Sequence, residues 1–298
     1  MQQLLVDALT GDRVILAPAR AMRPDTFRVH TEPLPRSVPT CPFCAGNEHE
    51  TPPEVARLGG GEPDSAGWTL RVVPNKYPIV GDGVAGAHEV VIFSPAHDAD
   101  LGALPEAAAA DVFQALRDRA RHHLAAGCAY TQAFVNHGKA AGASIEHPHA
   151  QLVALDFVPP RVHTRLDRFE ISAFSEDQCH RIADGTVTVW CPPASATPFT
   201  IRLALAAGGA RFDEASDGDV RAVGVAVRAT VATTRNLLGD VAYNLMIESA
   251  PPHHEGDFRW WVDLVPRITV TAGFEVASGL SVNIVAPADA AAALRAAR

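Results

Sequence analysis

The stretch that most constrains this chain is Glu146-His147-Pro148-His149-Ala150-Gln151. It lies between a glycine-rich loop, Gly138 to Ser144, and an apolar run, Leu152-Val153-Ala154-Leu155, that reads as a strand. Residues two apart on a β-strand share a face. A strand pairing that starts here therefore projects His147, His149 and Gln151 to one side. Pro148 lacks an N–H and fixes its own φ, so it belongs at a strand's first position or edge. The pattern predicts a sheet rim that presents imidazoles to a ligand. An H-x-H alone is more often a pair of surface histidines in a turn. Here the glycine loop, the Ser144 hydroxyl and the Gln151 amide point to a phosphate site.

The chain of 298 residues has room for one large domain or two of ordinary size. Its formal net charge of −9 argues against broad binding to nucleic-acid polymers or anionic membranes, both of which need a basic surface. A small phosphorylated ligand in a locally positive pocket remains compatible. The first residues lack a basic segment followed by an apolar core, and no stretch is apolar for the length a bilayer crossing needs. Five cysteines with one tight pair do not look like a disulfide framework. The expected compartment is the cytoplasm.

Taken in order, Val14 to Ala17, Trp68 to Val73 and His88 to Phe93 read as strands. Residues Pro105 to Ala125 read as an amphipathic helix ended by Gly127, and Thr131 to Val135 as the strand before the glycine loop. The second half repeats the order. Phe199 to Leu205 is a strand, Asp219 to Leu238 a helix closed by Gly239, and Val241 to Ile247 and Phe258 to Val265 are strands. A shift of about 111 positions lays one half on the other. It places His147, His149 and Gln151 over Phe258, Trp260 and Val262, so the second copy keeps the strands and loses the polar site. The expected fold is α+β, with duplicated lobes over residues 1–160 and 161–298, antiparallel sheets and packed helices.

Cys41-Pro42-Phe43-Cys44 is either half of a metal site or a redox pair. Gly46-Asn47-Glu48 and Pro52-Pro53 break any helix that a redox motif would open, which favours metal. A structural zinc takes four Cys or His ligands. Thirteen histidines are too many for spacing to choose among them. Position favours His97, just past a strand, and His147, beside the site, which leaves His149 free for chemistry. His122/His123 read as a helix surface and His253/His254 as a loop surface.

With these residues in view, the chain resembles the galactose-1-phosphate uridylyltransferase family of the histidine-triad superfamily. The resemblance rests on Leu9 to Arg20, Cys41 to Cys44, Arg71 to Pro78, Val91 to His97, Asn136 to Gln151, Ala272 to Glu275 and the tail from Asn283 to Arg295. It implies a duplicated histidine-triad fold, with zinc on Cys41, Cys44, His97 and His147. His149 would be the nucleophile, and Gln151 stands where the hydrolase branch has a third histidine. Asn75 matches a position at the ribose. Asn136, Ser144 and Gln151 match positions around the α-phosphate. Phe274 and Glu275 match a segment that reaches the sugar phosphate.

The implied activity moves a nucleoside monophosphate between sugar 1-phosphates through a nucleotidyl-histidine, most nearly as a UDP-glucose–hexose-1-phosphate uridylyltransferase does. The expected partners are a sugar nucleotide and a sugar 1-phosphate, and a homodimer is left open. A neutral imidazole is a good nucleophile near neutral pH. The Gln151 amide can bond a phosphoryl oxygen without offering a titratable proton, which suits transfer better than hydrolysis. Two other enzyme readings are a sugar-nucleotide phosphorylase of the ADP-glucose type and a dinucleoside-polyphosphate-cleaving enzyme. A zinc-stabilised binding module is the non-enzymatic one, and it has no need of a nucleophile. Arg259 to Leu264 contains no histidine, so no second metal site is expected there. Val276-Ala277-Ser278-Gly279 departs from the family's turn on the sugar side.

Overall fold

The computed structural model describes residues 2–18, 34–81, 83–169, 174 and 179–298; Arg20, the end of the first matched motif, lies outside them. In the first half the elements run β1 (Gln3–Val6), β2 (Arg13–Leu16), β3 (Ala56–Gly59), β4 (Trp68–Pro74), β5 (Gly86–Ile92), α1 (Glu106–Ala125), β6 (Tyr130–His137) and β7 (His149–Leu155). Then come α2 (Pro160–Arg168), β8 (His180–Ala183), β9 (Val187–Cys191), β10 (Ile201–Leu205), α3 (Asp217–Leu238), β11 (Tyr243–Glu248) and β12 (Trp261–Pro266). The chain closes with α4 (Gly273–Ser278), β13 (Ser281–Asn283) and α5 (Pro287–Ala296).

Ten strands form one antiparallel sheet in the order β3-β4-β5-β7-β6-β11-β12-β10-β9-β8. Read inward from either edge, the order is the same in each half. β1, β2 and β13 make a separate small sheet in which β13 runs parallel to β2. The fold is α+β, with duplicated lobes built on antiparallel strands.

Local sequence explains the two long helices. The Ser216 hydroxyl accepts the Asp219 N–H while the Asp219 carboxylate reaches back to the Ser216 N–H, a capping box that starts α3. Gly239, at φ +78°, ends it. α1 starts directly after Pro105, whose φ suits the junction. The helices pack together on one face of the sheet. At Gly224 on α3 a Cβ would lie 2.9 Å from the Ala109 carbonyl oxygen, so this approach of α1 requires glycine. Val112, Phe113 and Leu116 of α1 and Val220, Val223 and Val227 of α3 bury against Val91, Leu152, Leu203, Leu245 and Leu264 of the sheet. Truncating one such leucine to alanine costs about 2–5 kcal/mol.

Strand alternation sends the remaining side chains to the opposite face, where Leu166 of α2 packs under the second half. There Cys41, Phe43, Cys44, Trp68, Val73, Val90 and Ile92 form a small cluster under the first half. Leu9, Trp190, Phe258 and Trp261 form another under the second half.

Three expectations change. Pairing in β7 begins at His149, not His147, because Pro148 cannot donate to a ladder. His147 precedes the strand and turns on its own. His123 is buried, with Nε2 2.9 Å from Glu89 Oε1, so it is not a helix-surface residue. The correspondence between halves is 112 residues rather than 111. Ala133 pairs with Leu152 in the first half and Leu245 with Leu264 in the second. Val90 pairs with Gln151, and Arg202 with Asp263. A one-residue slip moves every side chain to the other face. The counterparts of His147, His149 and Gln151 are therefore Arg259, Trp261 and Asp263.

Candidate active site and metal centre

The ligand atoms of Cys41, Cys44, His97 and His147 all lie within 4.8 Å of one another, and all four residues are buried. Cys44 Sγ is 3.5 Å from His97 Nδ1 and 3.6 Å from His147 Nδ1. Zn–S bonds of about 2.3 Å and Zn–N bonds of about 2.0 Å give tetrahedral S···N edges of about 3.5 Å. The donor set and its spacing thus fit a closed four-ligand zinc site.

The surroundings fix the ligands. The His147 Nε2–H donates to the Ser94 carbonyl at 2.7 Å, which leaves Nδ1 as the lone-pair nitrogen facing the cysteines. The Val38 N–H points at Cys44 Sγ from 3.4 Å, and the Cys44 N–H bonds the Cys41 carbonyl. Glu48, beside the loop, accepts the Trp68 indole N–H at 2.7 Å. Burial pushes the Cys41 thiol above its ordinary value and drives the His147 imidazole down to about 4. A bound divalent cation would reverse the first effect by stabilising the thiolate.

His149 comes next on the chain and is used differently. Its Nδ1–H donates to the His147 carbonyl oxygen at 2.8 Å, so the neutral ring keeps its lone pair on Nε2. Burial lowers its pKa, and its backbone bond offsets this only in part. Phe43 packs edge-on against it, with centroids 5.3 Å apart. The pair of histidines is thereby differentiated: one presents Nδ1 to two cysteines, the other keeps Nε2 free.

Gln151 follows on the same face of β7. Its Oε1 lies 2.8 Å from His88 Nε2, and His88 in turn lies 3.2 Å from Asn75 Nδ2. Asn136, on the neighbouring strand β6, has its Oδ1 bonded by the Asn244 amide at 2.7 Å. Asn244 also donates to the Ala141 carbonyl in the glycine loop and accepts from Arg267. His149, Gln151 and Asn136 thus share one face of adjacent strands. Ser144 is exposed on the loop. Phe274 is exposed on α4, and Glu275 accepts the N–H of Ala272 there. Among the described residues, no hydrogen bond, ion pair or ring contact joins Ser144, Phe274 or Glu275 to the His149 group.

His88, Asn244 and Arg267 escaped the reading of the sequence. A lone histidine within an apolar strand reads as core. Only the pairing of Val90 with Gln151 reveals that His88 is diagonal to Gln151 on the same face.

A family profile described as "Galactose-1-phosphate uridyl transferase, N-terminal domain" matches residues 80–159, from just before β5 to just past β7. An ADP-glucose phosphorylase of Arabidopsis thaliana is 30% identical over 334 aligned positions, covering 98% of this chain and 92% of that one. The chain belongs to the galactose-1-phosphate uridylyltransferase family. Within this family, a galactose-1-phosphate uridylyltransferase of Haemophilus influenzae is 32% identical over 165 positions, 52% of this chain and 47% of its own. Among solved structures, an ADP-glucose phosphorylase from Arabidopsis thaliana with bound ADP-glucose superposes with a TM-score of 0.86 at 29% identity, covering 99% of both chains. The family's members here are nucleotidyltransferases and phosphorylases, and this chain is an enzyme of that kind. Among the described residues no helix is long and apolar enough to cross a membrane.

Proposed function

We propose that the protein transfers a nucleoside monophosphate from a sugar nucleotide to a phosphate acceptor through a covalent intermediate on His149. The observation that carries this is the Nδ1–H bond from His149 to the His147 carbonyl, which leaves Nε2 as the lone-pair nitrogen. Attack by Nε2 forms an N–P bond at the α-phosphorus. The bond from that phosphorus to the bridging oxygen breaks, and sugar 1-phosphate leaves with the electron pair. An oxygen of the incoming phosphate then attacks the same phosphorus, and the bond to His149 breaks. The neutral imidazole is restored.

Gln151 and Asn136 supply neutral donors to the phosphoryl oxygens as charge builds on them. Neither side chain brings a proton to give a leaving group, which favours storage of the nucleotide over hydrolysis. Cys41, Cys44, His97 and His147 would hold a zinc ion, which supplies a structural clamp on the loop before β7. The active lobe would span residues 1–160 and its counterpart 161–298.

ADP-glucose phosphorolysis, giving ADP and glucose 1-phosphate, is the reading we favour for the substrates. It is supported by end-to-end similarity to an ADP-glucose phosphorylase in both sequence and structure. Uridylyl transfer to a hexose 1-phosphate is the second reading, supported by the profile over residues 80–159 and by the Haemophilus relative. The test supplies ADP-glucose or UDP-glucose with inorganic phosphate or galactose 1-phosphate and measures sugar 1-phosphate release. Phosphate-dependent release from ADP-glucose is expected. Release only from UDP-glucose with galactose 1-phosphate would establish the second reading.

A further inference from the structure

The identity of residue 151 does not by itself decide what its side chain does. A glutamine amide presents an acceptor on one side and two donors on the other, and the two orientations nearly share one shape. A carbonyl oxygen turned toward a phosphoryl oxygen would repel it. Something must hold the amide the right way round before the substrate arrives.

The hydrogen bonds around His88 supply that control. His88 sits on β5 and is 6% exposed. Its Nδ1 accepts the backbone N–H of Ile79 at 3.3 Å. A neutral imidazole carries one proton, so that proton is on Nε2. Nε2 lies 2.8 Å from Gln151 Oε1 and 3.2 Å from Asn75 Nδ2. The backbone N–H of Ile79 can only donate, so the proton stays on Nε2 and goes to the nearer Gln151 oxygen; the Asn75 NH2, itself a donor, makes no bond to it. The Gln151 carbonyl is thereby occupied on the β5 side, and its NH2 group is turned away from His88. Burial holds the imidazole below its ordinary pKa, which keeps this single-proton arrangement. Asn75 is tied to the same unit. Its backbone N–H donates to the His88 carbonyl at 2.8 Å, and its Oδ1 accepts the Tyr77 N–H at 2.9 Å.

We propose that His88 is a positioning residue that fixes the amide of Gln151 with its NH2 group facing the α-phosphate bound at His149. The inference rests on the transfer reading given above. The backbone bonds from Ile79 and Asn75 hold the ring in place for this. His88 touches neither nucleophile nor substrate phosphate and acts only through Gln151.

The experiment is a double-mutant cycle read by the single-turnover rate of nucleotidyl-His149 formation from ADP-glucose or UDP-glucose, whichever the wild type uses. His88→Ala is expected to slow the step about tenfold or more, the effect of a misdirected phosphoryl donor. Zinc content stays unchanged, and the sugar-nucleotide concentration at half-maximal rate stays within about threefold. His88→Gln places an amide N–H where Nε2 stood and restores most of the rate. His88→Asn ends short of that point and does not. In a Gln151→Ala background, His88→Ala has no further effect.

Equal loss from His88→Ala with and without Gln151 would overturn the proposal, as would a wild-type rate in His88→Ala. Should the alanine variant fail to fold, the Gln and Asn variants carry the comparison, and equal rates in those two overturn it. Absence of any adduct in the wild type would instead sink the transfer reading itself, so the two failures are distinguishable.

Discussion

Phe134 on β6 and Met246 on β11 face each other directly at the centre of the ten-stranded sheet. They are 112 positions apart, the same separation that relates the strands of the two halves. The pair therefore marks the approximate dyad between the lobes. Two pairs along, Asn136 faces Asn244, and the polar contact between them crosses this boundary. The second half braces the first at Asn136, next to the proposed phosphate site.

Replacing Asn244 with Leu removes the donor to both Asn136 and the Ala141 carbonyl. Two acceptors then lose their partner, at a cost of about 1–3 kcal/mol each where they are buried. The expected result is a transfer rate lower by about tenfold with zinc content unchanged. Single-turnover kinetics beside metal analysis would check it. A normal rate would show that Asn136 needs no such brace.

The Cys41–Cys44–His97–His147 group should bind one zinc ion per chain. Removing it with a chelator, or replacing Cys41 with Ser, should lower the melting temperature by about 10 °C or more, since a four-ligand site contributes several kcal/mol. Differential scanning calorimetry with elemental analysis gives both numbers. A purified protein that contains no zinc and is indifferent to chelator would contradict the assignment.

In the second half Arg202 and Asp263, the counterparts of Val90 and Gln151, form a buried ion pair. Arg202 bonds Asp263 at 2.7 and 3.1 Å, and the Trp261 indole donates to the same carboxylate at 3.0 Å. Asp263→Ala leaves the Arg202 guanidinium with its main partner gone and should destabilise the fold by about 3–5 kcal/mol. Urea denaturation would measure it. A loss below about 1 kcal/mol would mean that Asp7, 3.6 Å from Arg202, suffices alone.

Glu89 gives the fold an acid limit. Burial favours its neutral form, but hydrogen bonds from His123 and Arg119 outweigh burial and depress its pKa to about 2. A carboxylate depressed in the folded state contributes stability that is full above its unfolded value and is lost as pH falls through the folded one. That contribution should fade between about pH 4.5 and pH 2. Glu89→Gln should flatten the stability curve across this window, as followed by denaturation at stepped pH. An unchanged slope would remove Glu89 from the acid response.

The grouping of Cys41, Cys44, His97 and His147 was legible in the sequence, as was the separate placing of His149, because residue type limits both. Two cysteines three apart can do few things, and an imidazole on either side of a proline separates a loop residue from a strand residue. The slip from 112 to 111 has an equally concrete cause. Trp260 and Trp261 are both large, apolar and fully buried, one against the helices and one on the opposite face. Apolar alternation carries no parity where both neighbours are buried. Only the ladder shows that Asp263, not Val262, stands in for Gln151. Strands β8 and β9 and helix α5 were unread for another reason. They are short, and only packing against one another and against α3 makes them regular. His123 belongs to the same class, since its carboxylate partner lies 34 positions away on β5.

The central claim is that Nε2 of His149 carries the nucleotide while His147 does not. Protein quenched after brief exposure to sugar nucleotide without acceptor, then digested and analysed by mass spectrometry, tests it most directly. The mechanism predicts a mononucleotide adduct on His149 alone, absent from the His149→Gly variant, which keeps its zinc and its fold. An adduct on any other residue, or turnover by His149→Gly at the wild-type rate, would contradict it.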